Sequence, residues 1–147
     1  MIDETFSAWR ARLHRFCEHL LQDAHDAEEV VQDVFTGLLE HRDHSDLRQN
    51  PEVLLFRLAR KRCIDVRRKK RAELCSDLDR PARDERPQLE LAEAMATLAF
   101  EEREVLLLTA IDGLGYREAA AILGCSLGTV AARRYSAIEK LRRRLLP

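Results

Sequence analysis

The sequence predicts an all-α fold of two small helical domains joined by a flexible linker, the C-terminal domain containing a helix-turn-helix. Apolar residues recur at spacings of three, four and seven along most of the 147 residues, which is the periodicity of amphipathic helices. The chain has only five glycines and four prolines, too few for the many turns of a β-sandwich. Residues 76–88 are rich in Asp, Arg and Pro and lack this periodicity. We therefore divide the chain into residues 1–75, a linker at 76–88 and residues 89–147.

The bulk composition argues against several classes of protein. Hydrophobic residues make up 46% of the chain and charged residues 35%, which suits a helix-rich globular protein with a solvated surface. No apolar run approaches the roughly 20 residues that a membrane span needs. The N-terminus lacks the basic-then-apolar order of a signal peptide. We therefore expect a cytoplasmic protein without membrane insertion.

The cysteines and histidines do not predict a metal site or a catalytic centre. Cys17, Cys63, Cys75 and Cys125 have no CxxC spacing. His14 and Cys17 are three residues apart, but a surface histidine beside a buried cysteine on an amphipathic helix explains this pair more simply than zinc does. No Gly-rich phosphate loop and no activated nucleophile is evident. We expect no catalytic residue, no metal and no cofactor, and we do not expect an enzyme.

The net charge of −1 conceals two acidic segments that alternate with two basic ones. The net charge is −6 for residues 1–50, +6 for 51–75, −6 for 76–112 and +5 for 113–147. A general polyanion binder would be basic throughout. The alternation instead indicates a protein that contacts nucleic acid at two places and a protein partner elsewhere.

The first two helices are predicted at residues 3–21 and 26–40. The apolar stripe of the first helix consists of Phe6, Trp9, Leu13, Phe16, Cys17, Leu20 and Leu21. Residues 22–25 are interpreted as a turn, and Asp26 with Glu29 as a capping box that begins the second helix. The apolar face of the second helix consists of Ala27, Val30, Val31, Val34, Phe35, Leu38 and Leu39. Its opposite face is polar and mostly acidic, with Glu28, Glu29, Gln32, Asp33 and Glu40.

The third predicted helix begins after a polar loop at residues 41–50. Asn50 is the expected N-cap, Pro51 occupies the first helical position, and Glu52 adds an acid to the first turn. The second half of this helix is strongly basic, with Arg57, Arg60, Lys61, Arg62, Arg67, Arg68, Lys69, Lys70 and Arg71. Because this run adjoins a helical core, it indicates a surface that faces nucleic-acid phosphates rather than a solvated tail.

The second domain is predicted to begin with two helices. One starts near Leu89 and includes Leu98, and the other spans residues 101–111. Residues 112–115, Asp-Gly-Leu-Gly, end the second of these helices and lead into the segment that follows.

That segment has the pattern of a helix-turn-helix. A short helix from Tyr116 ends at Gly124, which stands where a left-handed residue terminates a helix. Ser126 is the expected N-cap of the next helix. This helix carries several arginines and an apolar stripe of Leu127, Val130, Ala137, Ile138, Leu141 and Leu145. A tight turn followed by a basic helix is the arrangement that places a helix in the major groove of DNA.

In this order of parts the chain resembles the extracytoplasmic-function (ECF) sigma factors, the short two-domain group of bacterial sigma factors. Residues 26–35 are similar to the second conserved helix of the first sigma domain. Residues 51–60, followed by Asp65 and Arg68, are similar to the promoter-melting helix.

The second half extends the resemblance. Residues 102–108, with Asp-Gly-Leu at 112–114, are similar to the start of the second sigma domain. Residues 116–124, with Gly-Thr-Val at 128–130 and Arg133, are similar to its helix-turn-helix. Together the matching segments span nearly the whole chain in the order and spacing of the family.

The resemblance implies that the second helix docks on the clamp helices of the largest RNA polymerase subunit. The expected polymerase contacts are Glu29, Gln32, Asp33 and Phe35. It also implies that the third helix and the loop before it hold the −10 element, where one base of the non-template strand leaves the stack. The expected −10 contacts are Asn50, Arg57, Arg60, Lys61, Arg62, Arg67 and Arg68.

The resemblance further implies that the helix after Ser126 reads the −35 element in the major groove. The expected contacts are Ser126, Thr129, Arg133 and Arg134, since arginine suits the O6 and N7 atoms of guanine. The expected partners are RNA polymerase core, promoter DNA and an anti-sigma factor, with the free protein a monomer. The linker is expected to pass near the active-site channel of the polymerase.

Several positions depart from the family pattern. Ala131 and Ala132 stand where polar residues are usual, and Ser136 stands where an arginine is frequent, which predicts weaker −35 binding or a different sequence preference. In the melting helix Leu54 replaces a usual tryptophan and Lys61 a frequent asparagine. Ala99 stands where a proline often precedes a helix of the second domain.

Two alternative functions are compatible with the sequence. The first is a transcription regulator that binds duplex DNA through the helix-turn-helix without acting as a polymerase subunit. The second is a sigma-like adaptor that an anti-sigma protein sequesters and that does not itself support transcription. Heparin-resistant open complexes formed with core polymerase distinguish a sigma factor from the first alternative, because a plain DNA-binding regulator cannot replace a sigma factor.

Overall fold

The computed structural model describes residues 2–40, 50–73 and 89–145. The helices in these ranges are α1 (Ile2–Leu21), α2 (Ala24–Glu40), α3 (Pro51–Glu73), α4 (Leu89–Ala96), α5 (Phe100–Leu106), which continues as a π-helical turn (Leu107–Ile111), α6 (Tyr116–Leu123) and α7 (Leu127–Leu145). Within them no β-strand occurs, which confirms the all-α prediction. The same ranges contain no helix long and apolar enough to cross a lipid bilayer. The predicted loop at 41–50, apart from Asn50, and the predicted linker at 76–88 lie outside the described residues.

The first three helices pack into one unit around an apolar core. Each helix contributes buried apolar side chains spaced by three or four residues, as an amphipathic helix requires. Phe16 of α1 and Phe56 of α3 meet edge to face, with their ring centroids 5.2 Å apart. The other fully or nearly fully buried side chains are Leu13, Cys17, Leu20, Ala27, Val30, Val31, Val34, Leu55, Ala59 and Cys63.

The turn between α1 and α2 is tighter than the sequence predicts, and its cap is a different residue. Helix α2 begins at Ala24, so Asp23 rather than Asp26 precedes it. The Asp23 Oδ1 atom accepts a hydrogen bond from the Asp26 backbone N–H at 2.9 Å. Gln22 takes a left-handed φ of 57°, which lets the chain reverse within two residues. Asp26 is free to pair with Lys70 of α3 instead of capping the helix.

The apolar face of α2 ends earlier than its sequence periodicity suggests. Leu39 was expected on the core side, but its side chain is 80% exposed. Residue 39 lies seven positions after Gln32, so both residues project from the side of α2 that points away from α1 and α3.

The second unit is assembled around α7, which packs against α4, α5 and α6. Its core includes Met95, Leu98, Phe100, Val105, Leu106, Leu107, Leu108, Leu114, Ala119, Ile122, Leu123, Val130 and Ala137. Leu98 does not lie in a helix as expected, since α4 ends at Ala96, but its side chain is still buried. Ala99 has a φ of −60°, which a proline would share, and its N–H donates to Glu102 Oε1 at 3.0 Å.

The helix-turn-helix forms as predicted. Gly124 ends α6 in the left-handed conformation, with a φ of 67°, and its N–H donates to the Ala120 carbonyl at 2.8 Å. The Ser126 Oγ atom accepts a hydrogen bond from the Thr129 N–H at 3.2 Å and so caps α7. The predicted apolar stripe is correct at its centre and wrong at its ends, because Leu127 and Leu145 are 47% and 42% exposed.

The two units pack directly against each other. Helix α3 of the first unit lies against α6 of the second, and α1 lies against the segment from α4 to the end of the π-helical turn. The buried residues of both units therefore form one continuous hydrophobic core. The ion pairs that cross this contact involve residues of the candidate binding surfaces.

Candidate nucleic-acid and partner-binding surfaces

The outward face of α2 carries the acidic residues that the sequence selects. Glu29, Gln32 and Asp33 are all exposed to solvent. Glu29 pairs with His25 one turn earlier, at 3.2 Å, and Asp33 lies 3.9 Å from Arg62 of α3. Exposed pairs of this kind contribute little to stability, so these side chains are available to a partner.

Phe35 and Leu39 give the same helix an apolar component. Phe35 is half-buried and packs against the core, so only part of its ring faces the surface. Leu39 is 80% exposed and shares the outward face with Gln32. The apolar repeat of α2 predicts Leu39 as a core residue, so its exposure is not evident from the sequence. The α2 surface is therefore mixed, with acidic side chains around an exposed leucine.

The basic residues of α3 divide into those that face solvent and those that face the second unit. Arg57, Lys61 and Arg68 are exposed and lie four and seven residues apart, so they form one row along the helix. Arg62 is also exposed but lies on the side of α3 that faces α2. The row could contact consecutive phosphates of a nucleic-acid strand, since each guanidinium or ammonium offers several N–H donors.

Arg60 and Arg67 face the second unit instead of solvent. The Arg60 Nε atom donates to Glu104 Oε1 of α5 at 3.0 Å, and the Glu104 side chain is fully buried. The Arg67 guanidinium lies over the Phe100 ring, 4.2 Å from its centroid. Even Arg57, in the exposed row, donates to the Ala121 carbonyl of α6 at 3.0 Å. Three predicted −10 contacts are therefore bound within the chain.

Burial dominates the electrostatics of Glu104. It raises the pKa of this carboxyl above its usual range, and the charges of Arg60 and Arg133 oppose the shift only in part. The Oε2 atom of Glu104 has no hydrogen-bond partner among the described residues. A buried carboxylate with one strong partner depends heavily on that partner.

Asn50, which the resemblance assigns to the −10 element, has a structural role here. Its Oδ1 atom accepts a hydrogen bond from the Val53 N–H at 3.3 Å, so it is the N-cap of α3 as predicted. The side chain is exposed, and only one of its polar atoms is needed for the cap.

The start of the candidate recognition helix α7 is held by its own hydroxyl groups. The Ser126 and Thr129 side-chain oxygens lie 3.0 Å apart and are hydrogen bonded to each other, in addition to the N-cap bond. Both residues can still donate or accept one further hydrogen bond. The two predicted contacts are thus brought together at the N-terminus of α7.

The predicted arginines of α7 lie on the flanks of its outward face. Arg133 and Arg134 are both half-buried, and Arg133 lies close enough to Glu104 for its charge to lower the pKa of that group. Gly128, Ala131 and Ala132 are exposed on the outward face itself. Because these residues have small side chains or none, the backbone of α7 is almost uncovered on this face.

Tyr135 is a large side chain on this face that is not among the contacts predicted from the sequence. It is 69% exposed and follows Ala131 and Ala132 by four and three residues. A shallow cavity of about 320 Å³ lies beside it, lined by Tyr116, Ala131, Arg134, Ile138, Glu139 and Arg142. Val130 and Ala137 are fully buried. The helical repeat places Tyr135 on the other side of α7 from these two residues, so the sequence itself contains a signal that Tyr135 faces outward.

The Ser136 side chain does not face the surface. The lack of the arginine that is frequent at this position therefore does not simply mean the loss of a DNA contact. Its hydroxyl donates to Glu102 Oε2, and Lys140 donates to Glu102 Oε1 at 2.7 Å. Burial would raise the pKa of Glu102, but the hydrogen bonds from Lys140, Ser136 and the Ala99 N–H outweigh it and lower the pKa. This cluster joins α7 to the start of α5.

Cys17 and Cys63 are not poised for chemistry. Cys17 and Cys63 are fully buried against each other, and the contact with Cys17 together with burial raises the pKa of the Cys63 thiol far above its usual range. Among residues 2–40, 50–73 and 89–145 no cluster of three or more His, Cys, Asp or Glu side chains could hold a metal ion.

Two family models match the chain, one for each unit. Residues 5–73 match the family described as Sigma-70 region 2, and residues 88–141 match Sigma-70, region 4.

Named relatives agree with these matches. The ECF RNA polymerase sigma factor SigC of Mycobacterium tuberculosis is 31% identical over 77% of this chain, and the match covers 66% of the relative. The RNA polymerase sigma factor CnrH of Cupriavidus metallidurans is 34% identical over 79% of this chain and 71% of the relative. The chain thus spans about two thirds of the length of these curated relatives.

A solved structure shares the whole fold, including the placement of the two units. It is the sigma factor RpoE of Bartonella quintana, crystallised in complex with the anti-sigma factor NepR. The match has a TM-score of 0.83 and 25% sequence identity, and it covers 98% of this chain and 96% of the other. Both sigma regions, the named relatives and this fold agree, and the chain belongs to the ECF sigma factors of bacterial RNA polymerase.

Proposed function

We propose that this chain binds RNA polymerase core and directs promoter recognition and DNA melting as an ECF sigma factor. The observation that carries the proposal is that one three-helix unit presents an acidic face on α2 and a basic row on α3. A unit of this kind can bind a basic protein surface and a DNA strand at the same time. The helix-turn-helix of the second unit adds a separate site for duplex DNA.

The polymerase site is proposed on α2, at Glu29, Gln32, Asp33 and Phe35. The exposure of the three polar residues supports contact with a basic partner surface. Phe35 packs against the core and so holds this face of α2 in place. Leu39, which is exposed, is added to the site as an apolar contact. An exposed leucine among charged residues is a typical anchor of a protein interface.

The −10 site is proposed on α3, where the exposed row of Arg57, Lys61 and Arg68 is supplemented by Arg62. Asn50 stands at the start of the helix, near the loop that would hold the unstacked base. Arg60 and Arg67 complete the proposed site, and the second unit contacts both of them in this structure, as it contacts Arg57.

The −35 site is proposed on α7, with Ser126 and Thr129 at its N-terminus and Arg133 and Arg134 on its flanks. Tyr135 projects from the centre of the outward face and is added to the set. The small side chains around it would let the helix backbone approach the base edges closely. A tyrosine ring suits apolar contact with a thymine methyl group.

The mechanism we propose is positional, without catalysis by the chain itself and without a cofactor. Binding energy from backbone and pocket contacts would offset the few kcal/mol that unstacking a base costs. The protein would act in the cytoplasm, residues 1–75 and 89–147 serving as the two domains and 76–88 as the linker. By the likeness to RpoE bound to NepR, an anti-sigma factor is proposed as a regulator.

Reconstituted transcription tests this proposal. The chain is incubated with bacterial core polymerase and a genomic promoter library, and heparin-resistant complexes are collected and sequenced. Enrichment of a two-element motif is the expected result. A chain that binds duplex DNA but never yields heparin-resistant complexes would be a plain regulator. A chain that binds core polymerase without promoter-dependent transcripts would be a sigma-like adaptor.

A further inference from the structure

The outward face of α7 offers few hydrogen-bonding groups between its first turn and its centre. Gly128, Ala131 and Ala132 are exposed there, and none of them has a polar side chain. Tyr135 is 69% exposed and lies one turn after Ala131, so its ring stands on the same face. We call Ala131, Ala132 and Tyr135 the apolar strip of α7. It would present two methyl groups and one aromatic ring to a major groove.

Polar residues of the same stretch are held on the inner side of α7. The Ser136 hydroxyl and the Lys140 ammonium, one turn apart, both donate to the carboxylate of Glu102 on α5. The Glu102 side chain is 9% exposed and also accepts a hydrogen bond from the Ala99 N–H. Because hydrogen bonds are directional, two of them on successive turns fix the rotation of α7 about its own axis. The apolar strip is thereby held outward.

The arginines of this stretch lie on either side of the apolar strip. Arg133 is half-buried, and its charge acts on the buried Glu104 of α5. Arg134 is also half-buried and lines the shallow cavity beside Tyr135, together with Glu139. Both guanidiniums therefore leave the helix beside the strip. The side chains that would meet the centre of a DNA site are those of the strip itself.

The apolar strip fits one chemical feature of the major groove. The base edges there carry hydrogen-bond donors and acceptors, and their one apolar group is the C5-methyl of thymine. Ala131 and Tyr135 are separated by about 6 Å along the helix axis, which is close to two base-pair steps of about 3.4 Å. An alanine methyl and a tyrosine ring can each remove one thymine methyl from water. Against guanine or cytosine the strip would instead leave polar base atoms without a partner.

We propose that the apolar strip makes this chain specific for thymine at two neighbouring base pairs in the centre of the −35 element, which it recognises by their methyl groups. This inference rests on the proposed function, because it names the bases that the α7 site selects. Hydrogen-bond readout by Ser126 and Thr129 is then confined to the edge of the element that faces the N-terminus of α7.

Deoxyuridine tests the inference, because it keeps every hydrogen-bonding group of thymine and lacks only the methyl. A −35 element is selected with the holoenzyme of the full chain and core polymerase, and each of its thymines is then replaced in turn. Replacement at the two central pairs should weaken binding about fourfold each, which is the loss expected for one buried methyl group. Replacement in the spacer between the −35 and −10 elements is the control and should leave binding unchanged.

Variants of the apolar strip assign the two contacts through the coupling between a change in the protein and a change in the DNA. Tyr135→Ala should abolish the effect of deoxyuridine at one central pair, and Ala131→Gly should abolish it at the other. Circular dichroism checks that each variant keeps its helices, since glycine weakens a helix. Arg143→Ala is the control, because Arg143 is exposed near the end of α7. It should weaken binding but keep both deoxyuridine effects.

Binding that is insensitive to deoxyuridine at every position of the element would overturn the inference, as would a selected element without thymine at its centre. Folded Tyr135→Ala and Ala131→Gly proteins that both keep the full deoxyuridine effects would overturn it too. If the chain forms no complex with core polymerase, the proposed function fails instead. The same replacements in a duplex selected with the free chain then decide the inference by the same criteria.

Discussion

At the scale of single residues, side chains of the same type can either stabilise the fold or face solvent on a binding surface. Which of the two roles a side chain has depends on the residues that lie next to it in the folded chain. Arg60 and Lys61 are adjacent in a basic run, yet Arg60 pairs with buried Glu104 while Lys61 is exposed. Ser136 and Lys140 lie on the basic helix α7 but bind Glu102. A basic residue in the sequence is therefore not always free for DNA contact, because a carboxylate of the same chain can already bind it.

Glu102 should contribute stability that depends on pH. Its pKa is lowered in the folded chain, so its contribution is present above the unfolded value near 4.5 and is lost as the pH falls through the lower folded value. Replacing Glu102 with Gln should cost about 1–3 kcal/mol at pH 7, because three hydrogen bonds to a charged acceptor are weakened. Urea unfolding of both proteins at pH 7 and near pH 3 measures this difference.

The difference in the free energy of unfolding between the wild type and the variant should be smaller at the lower pH, because the stabilisation by the charged Glu102 carboxylate is lost as the pH falls. If the difference in the free energy of unfolding is the same at both pH values, the Glu102 cluster stabilises the fold through its packing rather than through the charge of the carboxylate. Glu118→Gln provides a comparison, since Glu118 accepts a backbone hydrogen bond from Gly115 at an exposed site.

At the scale of helices, the sequence predicts the parts well because their signals are local. Asn50 and Ser126 act as N-caps and Gly124 as a left-handed terminus, each through bonds within a few residues. Predictions were wrong where two local signals compete. Asp23 and Asp26 both suit the cap of α2, and Leu39 fits the apolar repeat although its side chain is 80% exposed. The helix ends, not the helices, were misjudged.

Substitutions on the exposed face of helix α2 should weaken binding to the polymerase without changing the fold. Replacing Gln32 with Ala and Asp33 with Arg should weaken binding to core polymerase by at least about tenfold, because the contact loses a carboxylate and gains a repulsive charge. Circular dichroism should be unchanged, since both positions are exposed. Binding is measured by anisotropy of the labelled chain.

Glu28→Arg is the control on the same helix, since Glu28 faces α1 and pairs with Arg10 at 2.5 Å. It should leave polymerase affinity within about threefold of the wild type. If the double variant binds as tightly as the wild type, α2 is not part of the interface.

Helix α7 should affect the −35 element more than the −10 element. On a promoter selected with the wild-type holoenzyme, Arg133→Ala should weaken recognition of −35 sequence changes while leaving opening at −10 nearly intact. Tyr135→Ala should remove the preference at one base pair, by about 1–3 kcal/mol, if its ring contacts a base edge. Competition binding with single-base −35 variants and permanganate footprinting at −10 give the two readouts.

Equal losses at both elements for Arg133→Ala would contradict the assignment of α7 to −35. A Tyr135→Ala protein with the wild-type sequence preference would remove Tyr135 from the reading face.

At the scale of the whole molecule, the order of the motifs in the sequence predicts the family. The sequence does not predict the contact between the two units. The family is readable because both sigma regions have characteristic residues at fixed spacing. Arg60 and Glu104 are 44 residues apart and Arg12 and Asp112 are 100 apart, so no local pattern connects them. The alternating charges of the chain indicated a partner for each basic segment. They did not indicate that an acidic segment of the same chain would be one of those partners.

The exposed face of α2 lies outside the contact between the units. The proposed polymerase site is therefore accessible while the two units are packed together.

The most direct measurement is a titration of the fluorescently labelled chain with bacterial RNA polymerase core, followed by size-exclusion chromatography. A sigma factor should form a tight one-to-one complex that elutes with the polymerase and is lost in the Gln32→Ala, Asp33→Arg variant. A folded chain that elutes alone at every polymerase concentration would contradict the sigma-factor function and leave a DNA-binding protein that acts without the enzyme.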